Sequence, residues 1–321
     1  MKGLARIFLI AAVLGSTLAM AQQGAVDAKP GGAADSKPAA QATTKSAEAA
    51  VTADPAIWRV KGKHGTIYLF GSVHVMKPNV DWMTPKVKAA LSSSDVVYLE
   101  IANMDDAAAA QPLALQFGLD AAHPLSTKIS KDDVALLDAA AKNLGLPGEA
   151  MFEPMQPWLV STALQVVPML KAGYQPNSGI DMKVLAESKG KQKTVKGFET
   201  LEDQVHMLAD SPQEQQVEML HKALAEMDKT TAEMNDLVEA WEHGDVEKIG
   251  KIDNDELATK YPGEYKRLVL DRNTKWTATL DGLLKDPATG NVFVIVGAAH
   301  LAGPDSVVKM LEKDGWKVER E

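Results

Sequence analysis

The sequence predicts a mixed α/β fold in which two strand, Gly-x-x-His, helix and strand halves build one central sheet, with a large helical layer inserted between them. Three observations carry this reading. The apolar run 292–296 leads into Gly297-Ala298-Ala299-His300, and the same order stands upstream, where Ile67-Tyr68-Leu69-Phe70 leads into Gly71-Ser72-Val73-His74. After each histidine come a proline-containing loop, a helical stretch (87–91 and 307–311) and a strand-like stretch (96–101 and 317–319). Between the two ends, over about 105–260, apolar residues recur mainly at spacings of three and four, the helical period. The ends read as a diverged repeat.

The N-terminal residues form no part of that fold. Lys2 and Arg6, an apolar run over 7–18 and Ala19-Met20-Ala21 make the three regions of a secretory signal peptide, with cleavage expected near Ala21. The apolar run is too short for a membrane-spanning helix of about 20 residues. With no cysteine in the chain, the cleaved end cannot carry a lipid, so no stable membrane anchor is expected. Residues 22–54 are Ala, Gly, Lys, Ser, Thr, Gln and Pro with almost no large apolar side chain, a composition that cannot offset ordering entropy and reads as a disordered tether. Residues 55–321 are then one folded domain with the helical insertion at about 105–260.

Removing Lys2 and Arg6 takes the formal net charge from -9 to -11. That acidity excludes a nucleic-acid binder, which needs clustered Lys and Arg against phosphates. The absence of cysteine excludes disulfides and thiolate chemistry and leaves His, Asp and Glu as the only strong metal ligands. An acidic exported protein, periplasmic or secreted, fits these features, as in a Gram-negative cell.

Along the folded part, 56–60 and 66–70 read as a hairpin around Lys61-Gly62-Lys63-His64-Gly65, with His64 exposed at its tip. Thr84-Pro85 places an N-cap before a proline at the first helical position, opening a helix to about Ser93. The stretch 95–101 is a buried strand whose odd residue is Glu100, a carboxylate that is costly there unless paired or used. Helices follow over 107–117 and 130–144, the second with Ser130 and Asp133 as a capping-box start and Gly145 as its stop. Pro157 opens another, to Lys171, which Pro168 should kink or end; Met151, Met155, Trp158 and Met169 in this region read as core.

Gly179-Ile180-Asp181 begins a helix over 182–188, and 193–195 is a short strand. Glu199 lies just past it. Thr200 caps the next helix, and capping accounts for Glu202 and Asp203 in its first turn but not for Glu199. Residues 212–257 are almost wholly helical, and His206, His221 and His243 within these helices lack a metal-binding spacing and read as structural or solvated. A last long helix over 265–284 carries Arg272, by itself no more than a surface charge, and leads into the strand that ends at His300.

In open α/β sheets ligands bind beyond the carboxyl ends of strands, where His74, Glu100 and His300 all fall. A glycine three positions before each histidine is expected to let the backbone turn sharply there. Two imidazoles and a carboxylate are a reasonable facial set for a divalent metal, with open positions for water and substrate. Water on such a metal is acidified and can attack an amide or ester.

Gly71-Ser72-Val73-His74, Tyr98-Leu99-Glu100, Gly179-Ile180-Asp181, Gly197-Phe198-Glu199-Thr200 with Glu202 and Gln204, Arg272-Asn273 with Trp276, and Val296-Gly297-Ala298-Ala299-His300-Leu301-Ala302-Gly303 together resemble the TraB/PrgY/GumN family, in order and spacing, over about 56–321. That family is related to the TIKI proteins, metal-dependent proteases acting on Wnt, and more distantly to erythromycin-esterase-like and ChaN-like proteins. The resemblance implies a duplicated α/β fold whose two Gly-x-x-His motifs meet in one site. It makes His74 and His300 the central histidines, Glu100 a ligand or general base, Arg272 a stabiliser of developing negative charge and Glu199 a further acidic catalytic candidate.

Three functions follow as expectations. The first is a metal-dependent hydrolase, a peptidase by analogy, with Mn, Co or Zn on His74, Glu100 and His300 and a peptide or small ester or amide as substrate. The second keeps the hydrolase and drops the metal, with a histidine base oriented by Glu100, as in the esterase-like branch. The third is a non-catalytic protein that captures a regulatory peptide in a cleft under the helical layer.

Overall fold

The computed structural model describes residues 51–321. The signal peptide and nearly all of the tether read from the sequence lie outside them. Val51–Thr52 (β1), at the end of the stretch assigned to the tether, already forms a parallel two-residue pairing with Val80–Asp81 (β4), and Ala53 is buried. Composition hid this because the pairing is made by backbone groups with a partner 29 positions away.

The main sheet has six strands in the order β6-β5-β7-β3-β2-β8. Its members are Ile57–Lys61 (β2), Thr66–Ser72 (β3), Val96–Ile101 (β5), Thr194–Glu199 (β6), Val292–Gly297 (β7) and Val318–Arg320 (β8). β2 and β3 are the antiparallel hairpin expected around His64, which is exposed. β6, β5, β7 and β3 are mutually parallel, and the two Gly-x-x-His strands, β3 and β7, lie side by side with Ser72 opposite Gly297. All four therefore end on one edge of the sheet.

Both faces of β7 are buried, which is why its sequence is continuously apolar rather than alternating. Phe293 and Ile295 face one layer with Phe70 and Leu99, and Val292, Val294 and Val296 face the other with Ile67 and Leu69. The first layer holds Pro85–Ser93 (α1), the end of Pro157–Lys171 (α4), Ile180–Gly190 (α5), Thr230–Glu242 (α8) and Val246–Asp253 (α9). The second holds Asp271–Lys285 (α12) and Val307–Lys313 (α13). The remaining helices, Ala107–Gly118 (α2), Lys131–Asn143 (α3), Leu201–Ala209 (α6), Gln213–Ala225 (α7), Asp255–Lys260 (α10) and Pro262–Tyr265 (α11), bury their apolar residues in smaller clusters of their own. Among the described residues no helix is long and apolar enough to cross a membrane.

Caps behave as the sequence indicates. The Thr84 hydroxyl accepts from Val87 N, Ser130 from Asp133 N, and Thr200 and Asp203 close a full capping box. Three features depart from expectation. The short strand expected at 193–195 runs further, over Thr194–Glu199, so that β6 pairs with β5 in the main sheet and includes Glu199. α4 continues through Pro168 to Lys171, so the proline neither ends it nor leaves its last turn unbonded, Ala172 N donating to Pro168 O. The helix before the last strand of the motif is broken by a π turn over Lys266–Leu270.

Candidate functional site

The two glycines of the motifs serve close approach and not a sharp turn. Neither has positive φ, and Gly297, at φ -50 and ψ 136, sits where any residue is allowed. A Cβ on Gly71 would stand 3.0 Å from the Cα of Ala298, so glycine lets the turn that carries His300 pack against β3. A Cβ on Gly297 would stand 3.3 Å from Glu100 Oε1, 3.4 Å from His74 Nε2 and 3.5 Å from His300 Cδ2. The three residues singled out in the sequence thus converge on the space that Gly297 leaves open.

His74 follows β3 directly. Gly179 lets the start of α5 press against it, since a Cβ there would collide with the His74 carbonyl, and Ile180 N donates to Val73 O at 3.0 Å. That docking places Asp181, in the first turn of α5, so that its Oδ2 lies 2.8 Å from His74 Nδ1. Asp181 is 4% exposed while His74 is 14% exposed and lines a cleft, so the dyad is buried behind the imidazole and reachable in front of it. In the neutral imidazole, with Nδ1–H donated to Asp181, Nε2 carries the lone pair; it has no hydrogen-bond partner among the described residues. Burial alone would push the imidazole down; the charge and hydrogen bond of Asp181, with the charge of Glu100, outweigh it and push the pKa up to about 9.

Glu100 is the last but one residue of β5, beyond the point where pairing with β7 stops at Tyr98 and Val294, and its carboxylate takes the place of the missing ladder partner. Oε1 accepts from Gly297 N at 2.7 Å; Oε2 accepts from Arg272 Nη2 at 2.6 Å and from Gln204 Nε2 at 3.1 Å. Burial alone would raise its pKa, but the charges of Arg272 and His74 and the Gly297 N–H hold it far below the usual carboxylate range. It is a charged anchor, and a weak base.

Arg272 is no surface charge. It begins α12 directly after the π turn, stacks on Trp276 at 4.6 Å and spends its five N–H groups within the protein. Nε donates to Glu199 Oε1 at 2.8 Å, Nη1 to Leu268 O at 3.2 Å and His300 Nε2 at 3.0 Å, and Nη2 to Glu100 and to Glu199 Oε2 at 2.9 Å. His300 completes the set: Nδ1 donates to Asn273 Oδ1 at 2.7 Å, and Nε2 accepts from Arg272, contacts that one neutral tautomer satisfies together. Asn254 Nδ2 holds the turn itself through Ala299 O and Ala302 O, both at 2.9 Å.

The structure therefore brings His74, Glu100, Arg272 and His300 to one cleft at the carboxyl edge of the sheet. Its empty space, part of it open solvent, is about 610 Å³. Met234 and Leu237 of α8 and Leu268 and Val269 of the π turn form an apolar wall facing the polar groups, and Asp253 of α9 also lines it. Glu199 does not line the cleft; it grips Arg272 from behind, with Gln204 bridging it to Glu100, and is a positioning residue. His206 and His243 pair one helical turn away with Asp210 and the Glu239 carbonyl, His221 pairs across helices with Asp133, and none of the three lines the cleft.

Asp181, Gln204, Asn273 and Asn254 are the functional residues that sequence reasoning left without a role. The first three stand inside the stretches that carry the family resemblance, but their partners are 27 to 107 positions away, and no local pattern reveals such a pairing. Of the metal set read from the sequence, Glu100 Oε2 and His300 Nε2 face the Arg272 guanidinium, while His74 Nε2 and Glu100 Oε1 face the space above Gly297; among the described residues no three His, Asp or Glu side chains are grouped to hold one ion. The chemistry this arrangement offers is proton transfer at His74 Nε2 beside a fixed, charged floor.

The sequence profile of the TraB/PrgY/gumN family matches residues 56–320. An uncharacterized protein of Treponema pallidum (strain Nichols) is 22% identical over 275 residues, spanning 80% of both chains. No solved structure matches the chain significantly.

Proposed function

The chain belongs to the TraB/PrgY/gumN family, and from that footing we propose that it is a hydrolase of an ester or amide, a peptide or small acyl compound, with His74 as general base. The observation that carries the reading is the Asp181–His74 pair, buried behind and open in front, with Nε2 directed to the space above Gly297. Nε2 takes a proton from a water, the water oxygen bonds to the substrate carbonyl carbon, and the tetrahedral intermediate collapses as Nε2–H returns the proton to the leaving group. Asp181 holds the tautomer and stabilises the imidazolium that forms. Glu100, fixed by Arg272, Gln204 and Gly297 N–H, keeps a negative charge beside it. The apolar wall takes a non-polar part of the substrate, and acidic lining disfavours a carboxylate next to the scissile bond. An exported, periplasmic location, as expected from the N-terminal residues, would set the substrate outside the cytoplasm.

A metal-dependent hydrolase is the second reading, favoured by the convergence of His74, Glu100 and His300 on the Gly297 space. It requires Arg272 to release Glu100 and His300, after which Mn, Co or Zn would supply an acidified water. The experiment is digestion of a peptide pool and of p-nitrophenyl acyl esters by the mature protein and by His74→Ala. Turnover lost with His74→Ala at unchanged fold supports the proposal; a peptide bound stoichiometrically and recovered intact overturns it in favour of a capture protein.

A further inference from the structure

Arg272 is the cation of the site, but every one of its N–H groups already has an acceptor. It cannot donate to a carbonyl oxygen that gains charge during attack without abandoning a partner, so the stabilising role expected for it is confined to its charge. Hydrolysis still needs a donor at that oxygen. Glu100 and Asp253 are acceptors, His300 donates to Asn273, and His74 Nε2 is the base.

Ser72 is the side chain that remains. It lines the cleft, is 3% exposed, and its Oγ is buried without a hydrogen-bond partner among the described residues. It ends β3 directly opposite Gly297, and opposite residues of a parallel pair project to the same face. The hydroxyl therefore borders the space where a Cβ on Gly297 would approach both His74 Nε2 and Glu100 Oε1. A buried, unpaired hydroxyl is unfavourable for folding, and an alanine would fill this place at no such cost. What the hydroxyl offers instead is an uncommitted donor that turns about a single bond.

We propose that Ser72 is a catalytic residue whose Oγ–H donates to the reacting carbonyl oxygen as the tetrahedral intermediate forms. No bond to Ser72 is made, and the attacking oxygen remains that of the water deprotonated by His74. The inference rests on the hydrolase reading.

The test is kinetics of Ser72→Ala and Ser72→Thr on the fastest substrate found among p-nitrophenyl esters and peptide p-nitroanilides, with Tm measured for each. Ser72→Ala is expected to lower kcat about 10²- to 10³-fold with KM little changed and Tm unchanged or raised, and Ser72→Thr to restore part of kcat. Wild-type kcat in Ser72→Ala overturns the assignment while leaving the His74 reading intact. A lower Tm with activity lost only in proportion to unfolded protein overturns it as well, in favour of a packing role. Absence of any turnover by the wild type overturns both readings. A covalent acyl adduct on Ser72, detected by mass spectrometry after rapid quench, would replace hydrogen bonding with a nucleophilic role.

Discussion

Replacing Asp181 by asparagine removes one charge and leaves the shape of the side chain that holds His74. In the wild type the imidazole stands at about 9 against an ordinary 6.5, although burial pulls the other way. That rise corresponds to roughly 3 kcal/mol of preference for the imidazolium. Asp181 is the largest source of that preference, Glu100 adds to it, and Arg272 opposes it. In Asp181→Asn the His74 pKa is expected to fall to 6.5 or below. Histidine Cε1–H NMR titration reads this without a substrate, and a His74→Gln spectrum assigns the resonance. The acid limb of kcat/KM moves with it: in the wild type roughly one molecule in a hundred carries the neutral base at pH 7, so activity climbs until about pH 9, whereas the variant levels off near neutrality. Its plateau is lower, by about 10²- to 10⁴-fold, because an amide can also present its NH₂ to Nδ1 and select the wrong tautomer. The stability effect has a fixed sign. A raised histidine pKa contributes stability that is fully present below about 6.5 and lost as pH rises through about 9, so the variant's deficit is largest in acid and fades in alkali. A His74 titration that stays at about 9 in Asp181→Asn would refute the assigned cause.

Arg272→Met leaves Glu199 without its cation and Glu100 with His74 alone, and should cost about 3–5 kcal/mol in urea unfolding; Arg272→Lys should recover little, because three donors on a point charge cannot replace five in a fork. Gly297→Ala, allowed by its backbone angles, should change stability by about 1 kcal/mol while abolishing turnover, since its Cβ fills the space between Glu100, His74 and His300. Chelation by EDTA should leave kcat/KM unchanged, because Glu100 and His300 turn their donors to Arg272; loss of activity restored by stoichiometric Mn, Co or Zn would mean that Arg272 lets go of both.

Much of this architecture was legible because it is local. The apolar runs ending in Gly-x-x-His mark β3 and β7, Thr84-Pro85 and Ser130 with Asp133 mark helix starts, and Glu100 stands out as a carboxylate on an otherwise apolar strand. What escaped is what depends on distant partners. Nothing near Asp181 says that it will meet His74, and nothing near Arg272 separates a surface charge from a buried hub until the π turn aims it at Glu100, Glu199 and His300. Gly71 and Gly297 are needed for contact distances between β3, β7 and the carboxyl edge of the sheet and not for a sharp turn, and φ preferences do not encode such contacts. The metal set is complete by residue type, and what residue type does not encode is that Arg272 takes Glu100 Oε2 and His300 Nε2.

The most direct measurement of the central claim is mass-spectrometric comparison of one peptide pool and one acyl-ester set after incubation with the mature wild type or with His74→Ala at pH 9, both variants checked for equal folded content by circular dichroism. Hydrolysed products that appear with the wild type and fall at least about 100-fold with His74→Ala are the result predicted for a base at Nε2. Equal product yields from both proteins would contradict it.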